Sequence, residues 1–350
     1  IDRDSFAEIE NTIAVQIARE VLKKFIPLRD EQQDIRGIKL DPETRSQYLL
    51  SQEITRKDEF SRWHESSNLL RKIVKKYPDW ALAKGKLAEA LVLIVGKNGC
   101  PEAAKFARES VLLDEKTAQA HFVIGYCAQF DWNWELAEKS FVEALKHKPN
   151  YSRVYLEYGH ILDLQNKKAE AGSVFRKLLE LGQFNPFNKA SACEHLYFDR
   201  KFDEAEKLCI ESERLDPGYR IPRYIRHRMY IFRNQPSKIL DLKYRHKSAS
   251  LEENRSHIKA LENQNVRRYV QLLLSNPKIS MTSMERAALY AHIGDREKAI
   301  EHLEKGVKDP FLDFYRLNAD PLFESLKHEN RFIELLESIN IPEENLKDRR

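Results

Sequence analysis

Cys193, Glu194 and His195 stand side by side and could in principle supply a thiol nucleophile, a carboxylate and an imidazole base. On a helix, however, successive residues point about 100° apart, so Cys193 and His195 diverge and share no proton. Trp132 and Trp134 could stack on a base or a sugar. At the start of a helix the same pair more simply staples that helix to its neighbour. Cys100, Cys127, Cys193 and Cys209 form no CxxC pair and lack metal-like histidine spacing. They read as small apolar thiols inside helices, a Cys193–Cys209 disulfide being the lesser alternative. There is no P-loop, dinucleotide fingerprint, HExxH, GxSxG or EF-hand pattern. The sequence therefore predicts no enzyme activity of its own, no metal and no cofactor.

Charge offers a second kind of chemistry. The net charge is +4, but between Arg214 and Arg268 there are 14 Lys/Arg against 5 Asp/Glu. Arg220, Arg223, Arg226, Arg228, Arg233, Lys243 and Arg245 alternate there with Tyr224, Tyr230, Phe232 and Tyr244. Such a basic patch fits an acidic partner protein or a phosphorylated ligand, with nucleic acid a weaker fit. Equally, these side chains could lie on a solvated face and pair with acids of neighbouring segments.

The elements that must hold these residues are helices. Gly is 11 of 350 residues, about 3% against a usual share of about 7%, too little for a turn-rich β-sandwich. No run of 18 apolar residues predicts a membrane span. Sparse thiols suit a reducing cytoplasm, the periplasm remaining open if a membrane helix lies upstream; the opening Ile-Asp-Arg without Met suggests a fragment of something longer. A repeat then emerges. Gly125 is followed by Ala137, Phe141, Ala144 and Pro149, and 34 residues on stand Gly159, Ala171 and Phe175. A third unit keeps Ala205 and Pro217 twelve apart, with Cys193 at the glycine position. Tyr290, Gly294, Ala299 and Leu303 repeat the order near the end.

This spacing of small, small, aromatic, small and proline residues resembles the tetratricopeptide repeat family. The expected fold is all-α, a right-handed solenoid of antiparallel helix pairs. Its expected parts are an N-terminal helix and linker (1–40), a regular array (41–217), degenerate basic repeats (218–280) and a C-terminal unit with capping helices (281–341). The phrases Phe130-Asp131-Trp132-Asn133-Trp134 and Asp320-Pro321-Leu322-Phe323 are similar to those of tetratricopeptide domains in bacterial winged-helix regulators and class III adenylate cyclases. That likeness implies a sensory or partner-binding role.

In this family the first helix of each pair lines a concave face. The resemblance therefore places Phe122, Tyr126 and Gln129, then Arg153, His160 and Asp163, then Glu194 and Tyr197 in a groove for a protein or peptide segment. The family's carboxylate-clamping Lys and Asn are replaced here by Phe122 and Tyr126, Leu156 and His160, Ala190 and Glu194. The leading expectation is a scaffold that binds a partner segment and regulates an attached output domain. A homodimerisation module, or the non-catalytic part of a nucleotidyl cyclase, are the alternatives. The chain's own helix over 5–25 could also fill the groove.

Overall fold

The computed structural model describes residues 38–56, 62–242, 251–308 and 315–346. The expected helix over 5–25, and Lys243 and Arg245, lie outside the described residues. Within them all regular structure is helical. Helices α1 (Pro42–Arg56) and α2 (Trp63–Lys76) are followed by α3 (Ala81–Val95) and α4 (Cys100–Leu113). Next come α5 (Ala118–Phe130) with α6 (Trp134–His147), α7 (Ser152–Leu164) with α8 (Lys168–Leu181), and α9 (Pro186–Phe198) with α10 (Phe202–Leu215). The array continues through α11 (Ile221–Phe232), α12 (Pro236–Asp241), α13 (Leu251–Glu262), α14 (Val266–Ser275), α15 (Ser283–His292) and α16 (Arg296–Lys308). A short helix α17 (Arg316–Ala319), a 3₁₀ turn (Pro321–Leu326) and α18 (Asn330–Ser338) close it. No described helix is long and apolar enough to cross a membrane.

The small residues do what their size demands. A Cβ on Gly125 would come within 2.8 Å of the Phe141 ring, and one on Gly159 within 2.6 Å of Phe175. Ala137, Phe141, Ala144 and Ala171 are fully buried, so each pair closes backbone to backbone around one aromatic wedge.

One turn recurs through the array. Trp132, Asn166, Arg200, Asn234, Gln264 and Gly294 all have positive φ, between 52° and 82°. Each ends the first helix of a pair, and the next N–H returns to a carbonyl five residues back: Asn133 to Ala128, Lys167 to Leu162, Gln235 to Tyr230, Asp295 to Tyr290. This left-handed stop satisfies the last carbonyls of the helix. Non-glycine residues accept it at roughly 1–2 kcal/mol each. The turns fall 34 residues apart from Trp132 to Asn234, and 30 apart from there to Gly294. The helix pairing thus persists through the basic stretch, on a period shorter by one helical turn.

The cysteines depart from the sequence expectation. Cys100 is disulfide-bonded to Cys127, and Cys193 to Cys209. The 3₁₀ turn Gly96–Gly99 packs tightly on α3, where a Cβ on Gly99 would meet Leu91 O at 2.6 Å. It sets Cys100 at the start of α4 beside Cys127 on α5, with their Cα atoms 5.5 Å apart. Cys193 and Cys209 face each other across α9 and α10 at the same Cα separation. Both spacings suit a bridge.

Candidate partner-binding groove

The inner face is built by α3, α5, α7, α9 and α11, and the structure divides it in two. Its C-terminal half is occupied by the chain itself. Glu194 on α9 accepts from Arg316 Nε at 2.7 Å and from the Tyr315 hydroxyl at 2.9 Å. Tyr197 donates to Asp320 at 2.7 Å, and Arg228 on α11 donates to the same carboxylate through Nε at 3.1 Å and through Nη2. Asn318 donates to Leu164 O at 2.8 Å. Farther along, Arg200 pairs with Glu324, Ser325 bonds Ala291 O, and Trp134 Nε1 donates to Ile339 O at 2.7 Å. Residues 315–341 therefore form a strap across the inside of the superhelix.

Most residues expected to line an open groove are inner wall, those on α5 packed by neighbouring helices and those on α7 and α9 covered by the strap. Phe122, Tyr126, Gln129, Asp163, Glu194 and Tyr197 are all buried. Phe122 packs among Tyr126, Phe141 and Tyr151, at ring distances of 5.6–6.3 Å. His160, expected in the groove, lies flat on Tyr315, with centroids 4.1 Å apart and planes 5° from parallel. Burial, with Arg316 and His195 adding, holds its imidazole down at about 3. Its Nε2 has no hydrogen-bond partner among the described residues. Asp163 takes a 2.8 Å contact from His195 Nδ1; burial raises its carboxyl pKa and that hydrogen bond opposes the rise. Curvature is the reason for the difference: a superhelix brings its far end back over its own concave side, which no local spacing announces.

The basic patch is also rearranged. Arg228 is 5% exposed and belongs to the strap contact, not to a surface. Arg226 bonds Glu213 at 2.9 Å, Arg223 lies 3.7 Å from the same carboxylate, and Arg233 pairs with Asp203. Glu206 takes Lys238 at 2.7 Å and also accepts from Tyr230. The acidic face of α10 thus neutralises much of the segment, and Arg220 stays exposed.

The N-terminal half is different. Arg153 extends over the Trp63 ring at 5.9 Å. Gln129 donates to Glu157 at 3.4 Å, whose carboxyl burial pushes up to about 7. A cavity of about 290 Å³ opens between α1, α3, the start of α5 and the α6–α7 turn. Its lining includes Gln52, Lys86, Lys116, Gln119, His147 and Lys148. Sequence reasoning passed over these residues because they come from four separate stretches and share no spacing. The local signal is Gln119, which stands one helical turn before Phe122 on α5.

No family model matches this sequence, and no curated protein does. Similar solved structures include TTC0263, a thermophilic TPR protein of Thermus thermophilus. It is 16% identical, covers 52% of this chain and 95% of its own, and has a TM-score of 0.43. Pseudomonas aeruginosa pilF is 18% identical over 57% of this chain and 88% of its own, at 0.44. Yeast Tom70 is 17% identical over 97% and 70%, at 0.42. The fold itself is an all-α solenoid of successive helix pairs.

Proposed function

We propose that this chain is a non-enzymatic scaffold whose inner face, on its N-terminal half, holds a segment of a partner protein. The observation that carries the reading is the division of the face: the strap seals α7, α9 and α11, while a cavity of about 290 Å³ remains beside α3 and α5. Concave sites are the usual places for ligands. This one is lined mostly by polar side chains, the amides, amines and imidazole of Gln52, Gln119, Lys86, Lys116, Lys148 and His147, with Tyr48, Leu82 and Ala118 between them. Regulation of an attached output domain, as in the winged-helix regulators and class III cyclases that the chain resembles, is the finer part of this proposal. The two cystine bridges favour an oxidising compartment over the reducing cytoplasm.

The test is selection of peptides from a random library on the immobilised full chain, repeated with Gln119→Trp, which would fill the cavity. Selected peptides should bind the parent chain and lose binding to the variant while its melting curve is unchanged. Peptides that bind both equally would place recognition elsewhere.

A further inference from the structure

We propose that the cavity beside α3 and α5 is a carboxylate-binding site, so that the segment held there is an acidic peptide. This rests on the inner-face reading above and specifies its ligand.

Three lysines, Lys86, Lys116 and Lys148, contribute to the lining. Glu89 is the carboxylate beside them, and it is already committed. It binds Lys86 at 2.8 Å and accepts from the Tyr151 hydroxyl. Burial pushes Glu89 upward, but Lys86 and Arg153 outweigh it and hold the group at about 2, fully ionised. His147, also in the lining, is taken by Glu143 at 2.9 Å. Lys148 forms no ion pair among the described residues. Its Nζ sits 4.1 Å above the Tyr151 ring, a cation–π contact that supports a charge without neutralising it. Burial, then the like charge of Lys86, lowers its pKa, with Glu89 opposing the fall. Among the described residues Lys116 and Lys148 form no ion pair, and the nearby carboxylates Glu89 and Glu143 are already paired with Lys86 and His147.

The form of the ligand follows from the donors. Phosphate sites use planar guanidinium forks or nests of backbone N–H groups, and this lining has neither. Separated lysine point charges around about 290 Å³ suit several carboxylates on one chain. The Gln119 amide, with Leu82 and Ala118, can take the peptide groups and the alkyl stems between those charges.

The probe is a fluorescein-labelled peptide of alternating Glu and Leu, against its Gln-for-Glu counterpart, titrated into the full chain by fluorescence anisotropy. The Glu peptide should bind at least about tenfold tighter, since a charged hydrogen bond contributes roughly 1.5–3 kcal/mol. Its affinity should fall with added salt. Lys148→Gln should weaken it by about tenfold and Lys116→Gln by a few fold, whereas the exposed Lys72→Gln should not change it. Lys86 is left in place because its loss would orphan Glu89. Equal binding of both peptides, blocked in each case by Gln119→Trp, would overturn the charge inference and leave the scaffold reading standing. Inorganic phosphate that binds in a Lys148-dependent way while the Glu peptide does not would make the cavity a phosphate site and also overturn it. No binding of either peptide, together with an empty library selection, would remove both readings.

Discussion

Replacing Asp320 by alanine probes the contact that seals the C-terminal half of the inner face. Asp320 is 4% exposed and accepts from Tyr197, from Arg228 and from the Leu322 N–H at 2.9 Å. Truncation leaves the Arg228 guanidinium buried, held only by the Tyr224 hydroxyl at 2.9 Å and the Tyr224 ring at 5.4 Å. Removing one member of a buried ion pair costs about 3–5 kcal/mol. Loss of the helix cap that Asp320 gives to Pro321–Leu326 adds about 1 kcal/mol. The measured loss is bounded, though, because the strap can undock and let water reach Arg228. The expected result is therefore a fall of several kcal/mol in local protection of 315–326, and a smaller fall in global stability. Hydrogen exchange read by mass spectrometry gives the first, and urea melts followed by circular dichroism give the second. Combining Asp320→Leu with Arg228→Met should recover the part of the loss that comes from the orphaned guanidinium, but not the part from the Tyr197 hydroxyl and the Leu322 N–H, which still lack their acceptor. An Asp320→Ala chain with unchanged exchange over 315–326 and a global loss below about 1 kcal/mol would show that this pair does not hold the strap.

Gly125→Ala should destabilise the fold by about 1–3 kcal/mol, because the new methyl lands 2.8 Å from Phe141. Gly306→Ala, whose methyl would meet Met284 at an ordinary 3.5 Å, should instead stabilise α16 by about 0.5–1 kcal/mol; equal effects in melting experiments would refute the pair-packing argument. Reduction of the two disulfides should cost about 3 kcal/mol each by chain entropy, and an unchanged melt in dithiothreitol with titratable thiols would contradict that. His160 stays neutral in the fold but takes a proton near 6.5 once unfolded, so stability should fall as pH drops from 6.5 toward 3. The slope is at most about 1.4 kcal/mol per pH unit. His160→Phe keeps a ring against Tyr315 and leaves Asp163, His195, Glu194 and Arg316 in both chains. The difference between the two chains' urea melts at pH 7.5 and 4.5 isolates His160, and identical acid sensitivity would disprove its role.

Gly125 and Phe141, or Gly159 and Phe175, lie 16 residues apart and meet within one helix pair. Such contacts repeat with the chain and leave a period that sequence alone displays, so the helix pairs and the inner-facing positions were legible from residue types. The Cys193–Cys209 contact is of the same local kind, and only its oxidation state was misjudged. The change of period from 34 to 30 hid the continuing turns, because Gln264 occupies a left-handed position where no turn-forming residue marks it. The strap is different in nature. Glu194 meets Arg316 across 122 residues, and Arg228 meets Asp320 across 92. The cavity likewise gathers Gln52, Lys86, Lys116 and Lys148 from four stretches of chain. Which side chains meet across such distances depends on small rotations between successive helix pairs, summed over the whole superhelix. A residue type or a local spacing carries no record of that sum, so the tertiary structure alone decided which half of the inner face is filled and where the cavity lysines lie.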